Sequence, residues 1–200
     1  MQVFALTGGI ATGKSTAGKM ISRLMPTSAF FDCDESVQSL LQKQTVLEQI
    51  SDALGQSVIK GDGSLDRAAL RKLVFQNENS RGKLETILHP KVRKECLEKL
   101  DFYSKTNSTT LFVADVPLLF ESGFDFGQEL NLVVATSQAT QRTRLKARNH
   151  FEDRMISSIL KAQLPIMEKV VRADVVFWNE GSLATLESQL ARFLKSLSIS

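Results

Sequence analysis

Eight residues near the start, Gly8-Gly9-Ile10-Ala11-Thr12-Gly13-Lys14-Ser15, limit what this chain can fold into more than any other stretch. They read G-x-x-x-x-G-K-[ST]. Before them, Val3-Phe4-Ala5-Leu6 is a short apolar run ending in Thr7, as suits a buried parallel strand. After them, Thr16 to Met25 sets Met20, Ile21, Leu24 and Met25 on one helical face, and Pro26 stops the helix. Strand, glycine loop and helix in that order make a phosphate-binding loop. Backbone N–H groups of such a loop curl round the phosphates, and the helix N-terminus faces them with partial positive charge. The expected triphosphate contacts are therefore Gly8, Gly9, Ala11, Thr12, Gly13, Lys14, Ser15 and Thr16. Lys14 would reach the β- and γ-phosphates, and the Ser15 hydroxyl would ligate Mg²⁺. Glycine is required at positions 8 and 13, where a Cβ would obstruct backbone approach or a positive φ.

Composition narrows the function classes. The chain has 200 residues, enough for one domain with inserted lobes and a real core. A net charge of +3 points to neither a nucleic-acid binder nor a membrane-surface protein. The first residues lack a basic n-region, and no apolar run approaches the length of a membrane span. Cys33 and Cys96 form no metal-ligand spacing and are expected as free thiols in a reducing cytosol. A cytoplasmic enzyme, monomeric or weakly oligomeric, without nucleic-acid or membrane partners, is the expectation.

Along the chain, Ala29-Phe30-Phe31 reads as a second strand ending in Asp32-Cys33-Asp34. Helices are predicted from about Glu35 to Leu41, and from Thr45 to Leu54 with Gly55 as its stop. Gly61-Asp62-Gly63 marks a turn or hairpin. Asp66 caps a helix from Arg67 to Phe75, with Leu70, Leu73 and Val74 inward. Ser80 starts a further helix, and Pro90 opens the next, Lys91 to about Tyr103, with Val92, Cys96 and Leu100 at four-residue steps. Leu111–Asp115, Leu130–Ala135 and Asp174–Trp178 are apolar runs typical of parallel strands. Helices fit at roughly Gln138–Asn149, Glu152–Gln163 and Gly181–Leu197. This alternation implies an α/β fold, a mostly parallel sheet covered on both faces, with the helical stretch from about Ser36 to Ser104 inserted as a lobe.

Several polar residues stand where such a sheet places ligands, beyond the strand ends. Asp32 and Asp34 could hold magnesium through water or accept a proton from an attacking hydroxyl; Asp34 could instead be a helix N-cap. Asp115 ends an apolar run as a metal-binding acid would, or it is a substrate-facing or structural carboxylate. Arg144 and Arg148, one turn apart, could close over the γ-phosphate as a lid; Arg142 and Lys146 form a neighbouring row read as solvent-facing. His89 could touch a substrate phosphate or cap a helix, while His150 has no distinguishing context.

Three phosphate-loop functions compete. A GTPase switch would show N-K-x-D, yet no Asn-Lys pair occurs, and Asp52-Ala53-Leu54-Gly55 ends a helix instead of following a strand. A nucleic-acid-dependent ATPase wants a basic, aromatic-lined groove, which one Trp, one Tyr and near-balanced charge do not supply. A small-molecule kinase remains.

At this point the chain resembles the dephospho-CoA kinase family almost end to end. Leu6 through Thr16 is similar to that family's opening L-T-G-G-I-x-S-G-K-S/T, and Asp32-Cys33-Asp34 to its D-A-D. Asp62-Gly63-Ser64-Leu65-Asp66-Arg67, His89-Pro90 and Asp115-Val116-Pro117-Leu118-Leu119-Phe120-Glu121 resemble further segments, as do Gln141, Arg144 and Arg148 of a lid pattern and Ala173-Asp174 through Asn179. Ala11-Thr12 and Cys33 are mild departures; in an extended segment the Cys33 side chain would point away from those of Asp32 and Asp34. The resemblance implies transfer of the γ-phosphoryl of ATP to the ribose 3′-hydroxyl of dephospho-coenzyme A, with Mg²⁺. It implies a three-layer P-loop kinase fold, nucleoside-monophosphate-kinase-like, as a single domain. Its core would be residues about 1–35, 105–137 and 172–200, its acceptor-binding helical lobe about 36–104 and its lid about 138–171. It also implies catalytic roles for Asp34, Lys14 and Arg144, nucleotide contacts from Arg144, Arg148 and Asn179, and acceptor contacts from Asp34, His89, Asp115 and Leu118.

Overall fold

The computed structural model describes residues 1–106, 108–149 and 152–197, without the side chains of residues 148 and 149. The elements follow in the order β1 (Gln2–Gly8), α1 (Lys14–Leu24), β2 (Ser28–Asp32), α2 (Cys33–Leu40), α3 (Gln44–Leu54), α4 (Arg67–Gln76), α5 (Glu78–Ser104), β3 (Leu111–Asp115), α6 (Leu119–Ser122), β4 (Leu130–Ala135), α7 (Gln138–Asn149), α8 (Asp153–Lys161), α9 (Ile166–Val171), β5 (Val175–Trp178) and α10 (Leu183–Ser196). The chain divides into two compact units, one of residues 1–32 and 99–200, the other of residues 33–98.

The first unit is built on a five-stranded sheet of order β2-β3-β1-β4-β5 with every pair parallel. Its strands are the apolar runs expected, because a parallel sheet is covered on both faces and must be apolar on both. Side chains alternate. Phe4, Leu6, Leu111, Val113, Leu132, Val134 and Phe177 share one core with Ala17, Met20 and Ile21 of α1 and Leu186, Leu190 and Leu194 of α10. Phe193 sets its ring 5.9 Å from that of Phe4 and 5.5 Å from that of Phe177. On the opposite face Val133 and Ala135 pack with Ile166 of α9, beside Phe120 and Val170. Register carries polar residues to the strand ends: Asp32 lies opposite Asp115, and Asp115 opposite Leu6.

The second unit is helical. α3 stops at Gly55, whose φ of 91° favours glycine. A single antiparallel bridge, Ile59 to Leu65, closes the expected Gly61–Gly63 turn. Asp66 caps α4, its carboxylate accepting from the amides of Ala68 and Ala69. Of the three residues expected inward on α4, Leu70 is buried, while Leu73 and Val74 are half-buried. Glu95 of α5 accepts hydrogen bonds from Ser36 of α2 and Lys43.

Several expectations fail in informative ways. The two helices expected around Pro90 are one, the 27-residue α5. Proline removes only the bond to the Thr86 carbonyl, whereas Leu88, Val92 and Cys96 form a buried row at four-residue steps straddling it. His89 therefore lies mid-helix and caps nothing. Cys33 and Asp34 belong to the first turn of α2, so the segment is not extended there and Asp34 is no N-cap. The short helices α6 and α9 were not expected, and α8 is three residues shorter than the predicted Glu152–Gln163. No helix among the described residues is long and apolar enough to cross a membrane.

Pro90→Ala restores the missing donor to α5. The urea-unfolding midpoint of the protein should rise, and its unfolding free energy by up to about 3 kcal/mol less the unfolded-state entropy that proline removes. A lowered midpoint would show that the helix needs a break at this point.

Candidate active site

The phosphate loop leaves β1 at Gly8 and enters α1 at Lys14, beyond the carboxyl end of the central strand. Its backbone takes unusual conformations, with Ala11 at φ 60° and Gly13 at φ 97°. A Cβ on Gly13 would collide with Asn179 Nδ2, and one on Gly8 would lie only 2.6 Å from the Val134 carbonyl oxygen. Both sites therefore need glycine.

What shapes the loop is the satisfaction of its carbonyls. Lys169 Nζ donates to the Gly8 oxygen at 3.3 Å, and Thr12 Oγ1 to that of Gly9 at 2.8 Å. Gln141 Nε2 donates to the Ile10 oxygen at 2.7 Å. Arg144 Nη1 donates to the oxygens of Ala11 and Thr12 at 3.2 and 3.3 Å. Asn179 Nδ2 also donates to the Thr12 oxygen, at 2.8 Å. One loop amide, that of Ile10, is turned outward to Gln163 Oε1 at 2.9 Å. Five successive carbonyls thus have donors from outside or across the loop; the Thr12 amide turns inward to the Gly9 oxygen at 3.3 Å, and the remaining amides can serve an anion.

These donors come from the far end of the chain. Gln141 and Arg144 lie one turn apart on α7, with Leu145 buried next to them. The guanidinium of Arg144 reaches further, from Nη2 to the Asn179 carbonyl at 2.8 Å. Asn179 is buried, and among the described residues its Oδ1 has no partner. The other row of α7 faces its neighbour helix: Arg142 donates to Ser157 Oγ at 3.1 Å, and Lys146 pairs with Asp153 at 2.8 Å. Arg142 is thus half-buried against α8, where sequence reading put it in solvent. Arg148 and His150 lie outside the described side chains and residues, respectively.

Glu180 fixes the start of α7. Its carboxylate accepts from the Ser137 amide, from Thr140 Oγ1 at 2.7 Å and from Thr136 Oγ1 at 2.8 Å. Those bonds, the Ser137 amide first, hold its pKa down to about 2 from the ordinary 4.5.

Lys14 forms an ion pair with Asp115, both largely buried. Asp115 is thereby drawn to the lysine of the loop, with Asp32 its register neighbour on β2. Ser15 is exposed in the first turn of α1, followed by the half-buried Thr16. Leu118 is exposed just before α6. Asp34, exposed, and His89, half-buried, belong to the second unit.

A family model described as dephospho-CoA kinase matches residues 2–185. The chain belongs to the dephospho-CoA kinase family. It is 37% identical over 198 residues to a dephospho-CoA kinase of Bacillus thuringiensis, covering 98% of each chain. The structure is similar to that of TT1252 from Thermus thermophilus, with TM-score 0.82, 30% identity and 98% of each chain covered. It is also similar to that of a dephospho-CoA kinase from Campylobacter jejuni, with TM-score 0.70, 25% identity and coverage of 99% of this chain and 98% of the other. The five parallel strands, and a fold also shared with a shikimate kinase of Acinetobacter baumannii (TM-score 0.51, 16% identity, 100% of this chain and 96% of the other covered), bear out the α/β phosphate-loop kinase reading.

Sequence reading missed Gln163, Lys169 and Glu180. Lys169 carried a signal: it sits between Ile166 and Val170, on the stripe of α9 that faces the sheet. Gln163 and Glu180 had none, since each acts through a contact more than 40 residues away in sequence.

Glu180 titrates lower in the folded chain than unfolded, so its bonds stabilise fully above the unfolded pKa of about 4.5. That contribution is lost as pH falls from there through about 2. Glu180→Gln should therefore be less stable than the parent at neutral pH, and the gap in unfolding midpoint should close toward about pH 2. A gap independent of pH would remove the carboxylate from this role.

Proposed function

We propose that this chain carries out the reaction of its family, passing the γ-phosphoryl of ATP to the ribose 3′-hydroxyl of dephospho-coenzyme A to give coenzyme A and ADP. The observation that carries the reading is a phosphate loop whose carbonyls are all engaged behind it, with Lys14 at its helical end. In such a transition state charge spreads over the transferring group, so the protein's work is positioning and neutralisation. Lys14 would exchange its bond to Asp115 for the β- and γ-phosphates, an exchange of one anionic partner for another. Arg144, already held on the loop, would add a second positive charge without needing to be ordered first.

Mg²⁺ would supply further neutralisation when bound; the exposed hydroxyl of Ser15 fits it, with Asp32 or Asp34 acting through water. Few protein ligands suffice, because that ion keeps several waters and takes the rest from phosphate. Asp34 would orient the 3′-hydroxyl and take its proton late in transfer. Asp115, released by Lys14, would face the acceptor together with Leu118 and His89. Asn179 would line the nucleotide site through its buried Oδ1. We read residues about 36–104 as the acceptor-binding lobe and about 138–171 as the lid, with Arg144 and Arg148 one helical turn apart in the sequence of α7.

A coupled ADP-release assay tests the reaction: dephospho-CoA should be turned over, and adenosine, AMP and shikimate should not. Rapid turnover of a simple nucleotide alone would replace the acceptor. Asp34→Asn should lower kcat by about 10²–10⁴-fold, roughly 3–5 kcal/mol, with ATP binding by calorimetry retained. Near-normal kcat would remove Asp34 as the base. Ser15→Ala should raise the magnesium concentration needed for half-maximal rate; an unaltered dependence would count against its ligand role.

A further inference from the structure

Lys169 of α9 is fully buried, yet it touches no part of the site assigned above except a backbone oxygen. Its ammonium pairs with Glu121 Oε1 at 2.7 Å and donates to the carbonyls of Pro117 at 3.2 Å and Gly8 at 3.3 Å. Glu121 Oε1 also accepts from the Leu164 amide at 3.0 Å, while Oε2 is buried with no partner among the described residues. Gly8 is the last residue of β1 and the first of the phosphate loop. Pro117 stands two residues beyond Asp115, and Thr7 Oγ1 donates to the same Pro117 oxygen. One ammonium therefore joins the ends of β1 and β3, the strand that leads to Lys14 and the strand that ends in Asp115.

We infer that Lys169, braced by Glu121, is a positioning residue for phosphoryl transfer: it sets the base of the phosphate loop against the end of β3 and so places Lys14 at the transferring phosphate. This rests on the kinase reading proposed above. Stability is a poor reason for the pair. Burying an ammonium and a carboxylate carries a desolvation penalty that their attraction offsets only in good geometry, and well-packed apolar replacements often serve as well. Here one carboxylate oxygen has no partner among the described residues, so the geometry is not the best available for stability. What an apolar pair could not do is donate to two carbonyls from different strands at once. The Leu164 amide on Glu121 ties the α8–α9 connection to the same point. The root of the segment bearing Gln163 and the loop that Gln163 holds therefore share one anchor.

The test separates anchoring for catalysis from anchoring for folding. Lys169→Met leaves Glu121 buried and unpaired, and should lower both the thermal midpoint and kcat. The double variant Lys169→Met with Glu121→Gln removes both charges and keeps an acceptor for Leu164. Its midpoint should return most of the way to that of the parent. Its kcat at saturating ATP and dephospho-CoA should stay at least about tenfold down, since loss of reacting-group placement by about an ångström can cost a hundredfold. The loss should fall on kcat more than on the KM for dephospho-CoA, because Asp115 and Leu118, the proposed acceptor contacts flanking Pro117, are both retained. Recovery of kcat together with the midpoint would make the pair scaffolding only and overturn the inference, as would unchanged kcat in Lys169→Met. Failure of the single variant to fold leaves the double variant as the deciding protein; failure of both to fold assigns the pair to stability and likewise overturns it. A parent protein that releases no ADP with dephospho-CoA would instead defeat the kinase reading, an outcome distinct from active parent and equally active variants.

Discussion

A phosphate loop works by turning amides toward an anion, and every amide so turned sends a carbonyl the opposite way. Those carbonyls would repel one another and go unsatisfied if the loop stood alone. In this protein they meet donors from Gln141, Arg144, Lys169 and Asn179, with Thr12 supplying one from within. The donors belong to α7, α9 and the residue after β5, each more than 125 residues from the loop in sequence. The ligand-binding conformation of the first eighth of the chain is therefore a property of its last third. That dependence extends to the strained residue. Ala11 sits at positive φ between Ile10 and Thr12, whose carbonyls are held by Gln141 and Asn179.

Helix α7 organises this support by dividing its polar residues between two neighbours. Gln141 and Arg144, three apart, face the loop; Arg142 and Lys146, four apart, face α8. Ser137 caps the helix start through the Thr140 amide, Glu180 holds Ser137 in place, and Glu180 is itself the residue after Asn179, so the loop, α7 and the end of β5 close into one hydrogen-bonded circuit. Charge in this circuit is paired or spread over carbonyl dipoles, which lets three cations approach a small volume. Lys14 is neutralised by Asp115 and Lys169 by Glu121, while Arg144 rests on backbone oxygens. Under the proposed reading, a polyanionic ligand would meet Lys14 and Arg144 already in place, and less ordering would be required of them on binding.

The elements were legible where one physical cause dominated. Apolar runs marked all five strands, because a doubly covered parallel sheet must be apolar on both faces. Gly55 and Asp66 marked helix ends through conformation and side-chain geometry local to them. Where causes competed, sequence reading chose wrongly. Pro90 suggested a boundary, but burial of Leu88, Val92 and Cys96 along one face outweighs a single missing bond. Asp34 suggested a cap, but β2 passes into α2 at Cys33 without an intervening loop residue. Arg142 looked like a solvated charge because nothing in its own segment announces Ser157.

The sequence by itself determined that a triphosphate tail can be bound between β1 and α1, since G-x-x-x-x-G-K-S is a local motif whose glycines and helix start are fixed by neighbouring residues. Hydropathy determined the five strands as well, and their alternation with helices a mostly parallel sheet, whereas the strand order came from the fold. Tertiary structure decided how the loop is held and therefore which residues matter to it. Lysine and glutamine read as surface residues by composition, yet Lys169 is wholly buried and Gln163 grips the loop. The reason is that a backbone carbonyl has no sequence signature: any residue presents one, and only the fold determines which donor is brought to it.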